Sequence, residues 1–342
     1  MKTYTMRSFL KIALIALTIV ITMGCIARNN GKGRGGGEQA TDNGQWKNSG
    51  ATALTLKYSS LTLDIGQRAY LNATPGGPQL KNYYVGFSSS NSEVAKVDVN
   101  GCITAMGKGS ATITAYSGTA EAECKVEVSG KKVNLEAIWV KQSGDIDPVK
   151  FNPNQKTSEL TFNRFPVTEE EFLKVREEIG ATPQGGALLL LMAMELYHHD
   201  REVGQRCVER CCVKSICTEK MAKLRDLYGG DQFYSRPYQV AGLLKGTSPE
   251  KGYNLKAPYK FGVQTLSSSD YHPTTAFGAP ATAIQMAIVE PSGRKAGIHA
   301  QVSFVKAPQP PSQNKYYVCN TTGGFLHNVE DINMNAQYEG LQ

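Results

Sequence analysis

Long apolar runs are scarce in this chain of 342 residues. The two most apolar, Ile12 to Gly24 and Ala187 to Ala193, both fall short of the roughly 20 residues that a membrane-crossing helix needs. Lysine and arginine form no dense block, so a nucleic-acid groove has no electrostatic footprint, and no nucleic-acid partner is expected. Catalytic signatures are missing as well. There is no Gly-x-Ser-x-Gly elbow, no His-Glu-x-x-His pair, no Walker loop and no Gly-x-Gly-x-x-Gly after a strand. Eight cysteines are present, but none stands in the Cys-x2-Cys knuckle that marks a zinc site.

What is present begins with an export signal. Lys2, Arg7 and Lys11 precede the apolar run, with no acid among the first 24 residues. The stretch Ile21-Thr22-Met23-Gly24-Cys25 resembles a bacterial lipoprotein processing site, which implies lipidation of Cys25 as the new N-terminus. Such an anchor holds a protein at a membrane surface without spanning it; an outer-membrane, periplasmic or surface-exposed location is expected. Removing residues 1–24 takes three cations away and lowers the net charge from +7 to +4. Residues 25–52, with Gly-Lys-Gly-Arg-Gly-Gly-Gly inside, carry few large apolar side chains and read as a flexible tether.

From residue 53 to 130 the pattern changes to short alternating strands. Val94/Lys96, Ile103/Ala105 and Ala111/Ile113/Ala115 are separated by Asn100-Gly101 and Gly107-Lys108-Gly109 turns. About seven such strands predict an Ig-like sandwich. Leu61-Thr62-Leu63, Gly66, Ser88-Ser89-Ser90-Asn91, Val94-Ala95, Ile103-Thr104-Ala105 and Ala111 to Ala115 resemble the group 2 bacterial Ig-like domain family. That resemblance implies a spacer or adhesion module without catalysis. Cys124 alternates with Val126 and Val128 toward the core, whereas Cys102 is out of step with Ile103 and Ala105 and is expected to point outward.

Residues 131–342 read as an α+β domain, helices packed on an antiparallel sheet. Thr168 followed by three glutamates opens one helix. Thr182 with Pro183 opens a second, apolar all round and expected at the centre of the domain, and Asp200 caps a third. Glu195 is the one charge inside the second helix; an ion pair with Arg201 or Arg206 is the structural expectation, acid/base chemistry the functional one. Cys207, Cys211, Cys212 and Cys217 read as core thiols, one local disulfide, or a thiolate metal site with His198 or His199 nearby. Ser267 to His272 gathers serine, aspartate and histidine in what reads as a solvated loop. The order Thr-Pro-x-Gly, helix pair, Gly246 to Tyr253 and Pro258-Tyr259 resembles an uncharacterised bacterial domain family of exported proteins, from about Phe165 to Leu326.

The reading that results is a lipid-anchored envelope protein: signal 1–24, tether 25–52, Ig-like spacer 53–130 and a C-terminal domain 131–342. Tyr234, Arg236, Tyr238, Tyr253 and Tyr259 are its candidate binding residues, since tyrosines on a turn-rich surface stack on sugars or line a peptide groove. The expected ligand is a glycan, a peptide or an envelope protein, with no cofactor and no metal. The alternative is an extracytoplasmic hydrolase built on Glu195 or His272.

Overall fold

The structure is a computed structural model and describes residues 44–228, 235–289, 301–306, 316–321, 325–326, 329–333 and 335–341. Cys25, the signal, Tyr234 and the stretch Pro291-Ser292-Gly293, whose residue types suit a hairpin connection, lie outside the described residues. So does the tether up to residue 43. Its expected last part is not loose: Gln45–Asn48 form a 3-10 turn, Trp46 rests on Tyr116 at 5.3 Å between ring centroids, and Gly118 N donates to Trp46 O at 2.7 Å. Trp46 supplies the apolar anchor of this segment.

The sandwich is built from β1 (Ala53–Thr55), β2 (Ser60–Ile65), β3 (Arg68–Tyr70), β4 (Thr74–Gly76), β5 (Gly86–Ser89), β6 (Ala95–Val97), β7 (Cys102–Ala105), β8 (Gly109–Ser117) and β9 (Ala120–Lys132). One sheet runs β2-β9-β8-β5, the other β3-β7-β6, and β1 pairs with β4. Strict alternation along β8 sends Ala111, Ile113 and Ala115 inward, where Ile113 meets Ile103, Cys124 and Val126.

The second domain contains β10 (Val140–Ile146), β11 (Lys156–Phe162), α1 (Glu169–Ile179), α2 (Pro183–His199), α3 (Arg201–Cys211), α4 (Lys214–Tyr228), β12 (Tyr259–Gln264), β13 (Tyr271–Ala276), β14 (Ala279–Ile288), β15 (Gln301–Lys306) and β16 (Tyr317–Thr321). An antiparallel sheet in the order β10-β11-β12-β14-β15-β16, with β13 added on β14, packs against the four helices. Leu160, Phe162, Phe261, Ile284, Met286 and Phe304 line the helical face, and Ala283, Val305 and Val318 form a small cluster on the other.

Side-chain caps start the helices where the sequence places them. Thr168 accepts from Glu171 N at 3.2 Å, Thr182 from Gly185 N at 3.1 Å and Asp200 from Val203 N at 3.0 Å. The acids at the start of α1 are tied to arginine and lysine rather than to a metal: Glu169 to Arg206 and Arg210, Glu170 to Lys174, Glu171 to Arg164. In α2 every residue from Pro183 to His198 is buried, as an all-apolar helix requires. The helix touches α1, α3, α4, β10, β11, β15 and β16.

Ser267 to His272 is not an open loop. Asp270 caps a short turn, accepting from Leu266 N and Ser267 N at 2.5 and 3.0 Å, and Tyr271 then begins β13. β13 and β14 are joined by Phe277 and Gly278 at φ 55° and 77°, a two-residue hairpin turn. The composition-based reading misses it because phenylalanine stands where such turns usually carry asparagine or aspartate.

The crossing of α2 and α3 depends on a missing side chain. A Cβ at Gly204 would stand 2.1 Å from Tyr197 Cα. Alanine is the better helix former by about 1 kcal/mol, yet Gly204→Ala is expected to destabilise the protein by at least about 2 kcal/mol, the usual scale of overpacking. Urea denaturation checks the sign; a stabilised variant would refute the close crossing.

Candidate functional site

The tyrosines expected to line a turn-rich surface are not on one where the structure describes them. Tyr238, Tyr253 and Tyr259 are buried in the core of the second domain. Tyr238 and Tyr253 stack at 5.1 Å, Tyr253 donates to Glu330 O at 2.8 Å, and Tyr259 sits 5.4 Å from both Phe162 and Phe165. Arg236 is ion-paired with Asp331 at 3.3 Å. These rings face one another across turns and offer no stacking surface, because a turn-rich segment of this length has to bury its aromatics to gain any stability.

The cysteines resolve into packed thiols. Cys102, Cys124, Cys207, Cys211, Cys212, Cys217 and Cys319 are all free and buried. Burial pushes Cys124 up to about 11 and Cys207 up to about 12, so both stay protonated. Cys212 hydrogen-bonds to Cys217 and Cys319, the last contributed by β16 and too distant in sequence to be foreseen.

The polar residues that do converge lie at the C-terminal end of α2. Glu195, His198 and His199 share one helix face, and one ligand atom from each lies within 4.8 Å of the others. Glu195 pairs with His199, Oε1 to Nε2 at 3.1 Å, in place of the expected Arg201 or Arg206. Arg201 instead donates to Tyr228 O, and Arg206 binds Glu169 and Glu202. A partner four residues along the same helix needs no long reach, which is why it wins. Burial raises the Glu195 carboxyl and drives both imidazoles well below their ordinary range, so each histidine is neutral. The rings of His198 and His199 stack at 4.2 Å, and Tyr228 covers His198 at 4.8 Å.

The wall facing this cluster comes from the sandwich. Tyr70 at the end of β3 reaches His198, OH to Nε2 at 3.3 Å, and packs edge-on against Tyr338 at 5.3 Å. Tyr70 and its register partner Cys102 belong to the core of the second domain. Cys102 does point away from the sandwich core, as its phase demands, but is only 2% exposed because the second domain covers it. Ser235 Oγ donates to Asn100 Oδ1 at 2.8 Å, and Lys57 to Glu339 at 2.5 Å, beside this contact. The Ig-like module is thus one wall of a shared core. Sequence phase indicates the outward turn of Cys102, but no local signal names its cover.

Two layers, a β-sandwich and an α+β domain, define the class: a multidomain chain with an Ig-like module joined to a helix-on-sheet domain. Residues 51–128 match the model of the bacterial Ig-like domain (group 2), and residues 164–333 that of a domain of unknown function, DUF6935. The chain therefore carries a group 2 bacterial Ig-like domain followed by a DUF6935 domain. Solved structures that overlap part of it include a bacterial Ig-like domain-containing GH10 xylanase from termite gut, 24% identical over 20% of this chain and 18% of that one, TM-score 0.18. Others are surface layer protein SbsC domains 4-9, 21% identical over 34% and 20%, TM-score 0.22, and an EHEC O157:H7 intimin mutant, 15% identical over 38% and 54%, TM-score 0.18. No curated protein matches the chain.

Asp98, in the turn before β7, records how closely the domains fit. It keeps some surface exposure, yet desolvation raises its carboxyl to about 6, against hydrogen bonds from Cys102 N and Asn100 N at 2.9 and 2.8 Å. A carboxyl raised above its unfolded value of about 3.9 stabilises the fold while protonated; that contribution is full below about pH 4 and lost as pH rises through about 6. Asp98→Asn removes the titration. Relative to the wild type, the variant should gain up to about 2 kcal/mol between pH 4 and 7.5, read by urea denaturation at both values. An unchanged difference would mean that Asp98 is as well solvated as in the unfolded chain.

Proposed function

We propose that this is an envelope-associated interaction protein, lipid-anchored at Cys25, in which the Ig-like module presents a second domain whose surface binds a glycan, a peptide or an envelope protein. The observation that carries the reading is the tip of the β13–β14 hairpin. Phe277 is 39% exposed at φ 55°, so it is costly both in backbone strain and in apolar surface left to water. It overhangs a cavity of about 240 Å³ lined by Val213, Lys214, Thr275, Ala276 and Asn320. A side chain held out at such a cost is what a contact residue looks like.

The hydrolase reading has less support. Glu195 is 4% exposed with Oε1 committed to His199, and His272 stands in β13 opposite Ala283, while the nearby Asp270 spends Oδ2 on two backbone N–H groups. Among the described residues no helix is long and apolar enough to cross a membrane.

Because the two domains share a core, the ligand screen uses the whole mature chain against glycans, peptides and envelope proteins. Phe277→Ser is expected to weaken any binding found by at least about tenfold, about 1.4 kcal/mol, without lowering Tm. No ligand at micromolar concentration, or a ligand indifferent to the substitution, counts against the proposal. Anchoring is read separately: Cys25→Ala should move the protein from the membrane to the soluble fraction, and persistence in the membrane rejects the lipid.

A further inference from the structure

The cluster at the end of α2 has more polar capacity than its hydrogen bonds use. Glu195 Oε2 and His198 Nδ1 are buried without a partner, and so are the phenol oxygens of Tyr228 and Tyr338. Glu195 and His198 are 4% and 5% exposed. Leaving such groups unpaired inside a protein is costly.

We propose that Glu195, His198 and His199 form a buried binding site for a first-row divalent metal ion, zinc by preference, at the seam between the Ig-like module and the second domain. Two imidazoles and one carboxylate are a donor set that zinc accepts. Their spacing, Glu195 followed by His198 and His199, puts all three on one helix face at i, i+3 and i+4. Ligand atoms around a tetrahedral zinc stand about 3.4 Å apart, so closing the present group around an ion takes side-chain shifts of about an ångström. Ligation by His198 Nδ1 places the ring proton on Nε2, and the Tyr70 oxygen 3.3 Å away accepts it. That hydrogen bond is the outer-shell contact that metal-bound histidines make, and it comes from the other domain. The fixed charges near the group are the guanidinium of Arg68, which acts on Glu195, His198 and His199, and that of Arg201, which acts on His198; the Glu195 carboxylate is the anion set against them.

The role that follows is structural. The ion would satisfy Glu195 Oε2 and His198 Nδ1 at once and fix the ring that Tyr70 holds, tying the sandwich to α2. The thiols do not join this group: among the described residues, Glu195, His198 and His199 are the one set of three metal-ligating side chains so close together.

The test uses the whole mature chain, stripped with a chelator and titrated with zinc alone. One equivalent should bind per chain, and free zinc at a hundredfold excess over Kd should raise the folding equilibrium constant about 100-fold. Cobalt in place of zinc should give visible d–d bands without the intense near-ultraviolet band of thiolate ligation. Glu195→Gln and His199→Gln, which keep shape and remain polar, should lose most of the affinity, and Tyr70→Phe should weaken it about tenfold. Folding of each variant is followed by circular dichroism, and should one fail to fold, the cobalt spectrum of the unaltered chain decides. Absence of stoichiometric binding, binding unchanged by both ligand substitutions, or a thiolate spectrum would each overturn the proposal.

Discussion

A helix that is apolar on every side has no face to give to water, and the second domain is what encloses α2. The sheet supplies one wall through Phe304 and Tyr317, α1 and α3 supply others, and glycines set the closest distances. At Gly186 a Cβ would come within 2.9 Å of Tyr317, so the helix lies directly on β16. Burial of this kind gives the domain its hydrophobic stabilisation, since a fully buried leucine or methionine contributes about 1.5–3 kcal/mol. It also imposes a problem at the helix end, where Glu195, His198 and His199 are carried into the same enclosed space as Leu188 to Met194.

The sandwich answers part of that problem. Tyr70 covers the end of α2 and reaches His198, while Cys102 fills the apolar surface beside it. The interface is therefore an extension of one core rather than a polar contact between two finished domains. Asp98 feels the same closure as desolvation.

Much of this is readable from residue order. Thr168, Thr182 and Asp200 act as caps, Ala111/Ile113/Ala115 alternate into the sandwich core, and the uncharged run at Ala187 to Ala193 lies at the centre. These are local properties, fixed by neighbours within a few positions. What escapes is non-local. The exposure of Tyr238, Tyr253 and Tyr259 depends on which segments fold over them, and Phe162, Phe165 and Glu330 are far away in the chain. The partner of Glu195 escapes for a different reason: a buried carboxylate points to a permanent cation such as arginine, whereas the partner is His199, four residues away on the same face. The β13 strand was hidden by an Asp270 cap that looked like part of a polar loop.

Cys102 has a consequence for how such a chain can change. In a row of independent Ig-like beads, one bead can be exchanged for another, because each hides its own apolar residues and meets its neighbours through solvent. Here the outward positions of β3 and β7 are Tyr70 and Cys102, shaped by a neighbour that is not part of the sandwich. A transplanted bead with polar residues there would leave the end of α2 uncovered, and this bead moved elsewhere would carry a sticky edge with it. The pair of domains is thus the unit that can be inherited or moved intact, and recombination between them is penalised at two side chains.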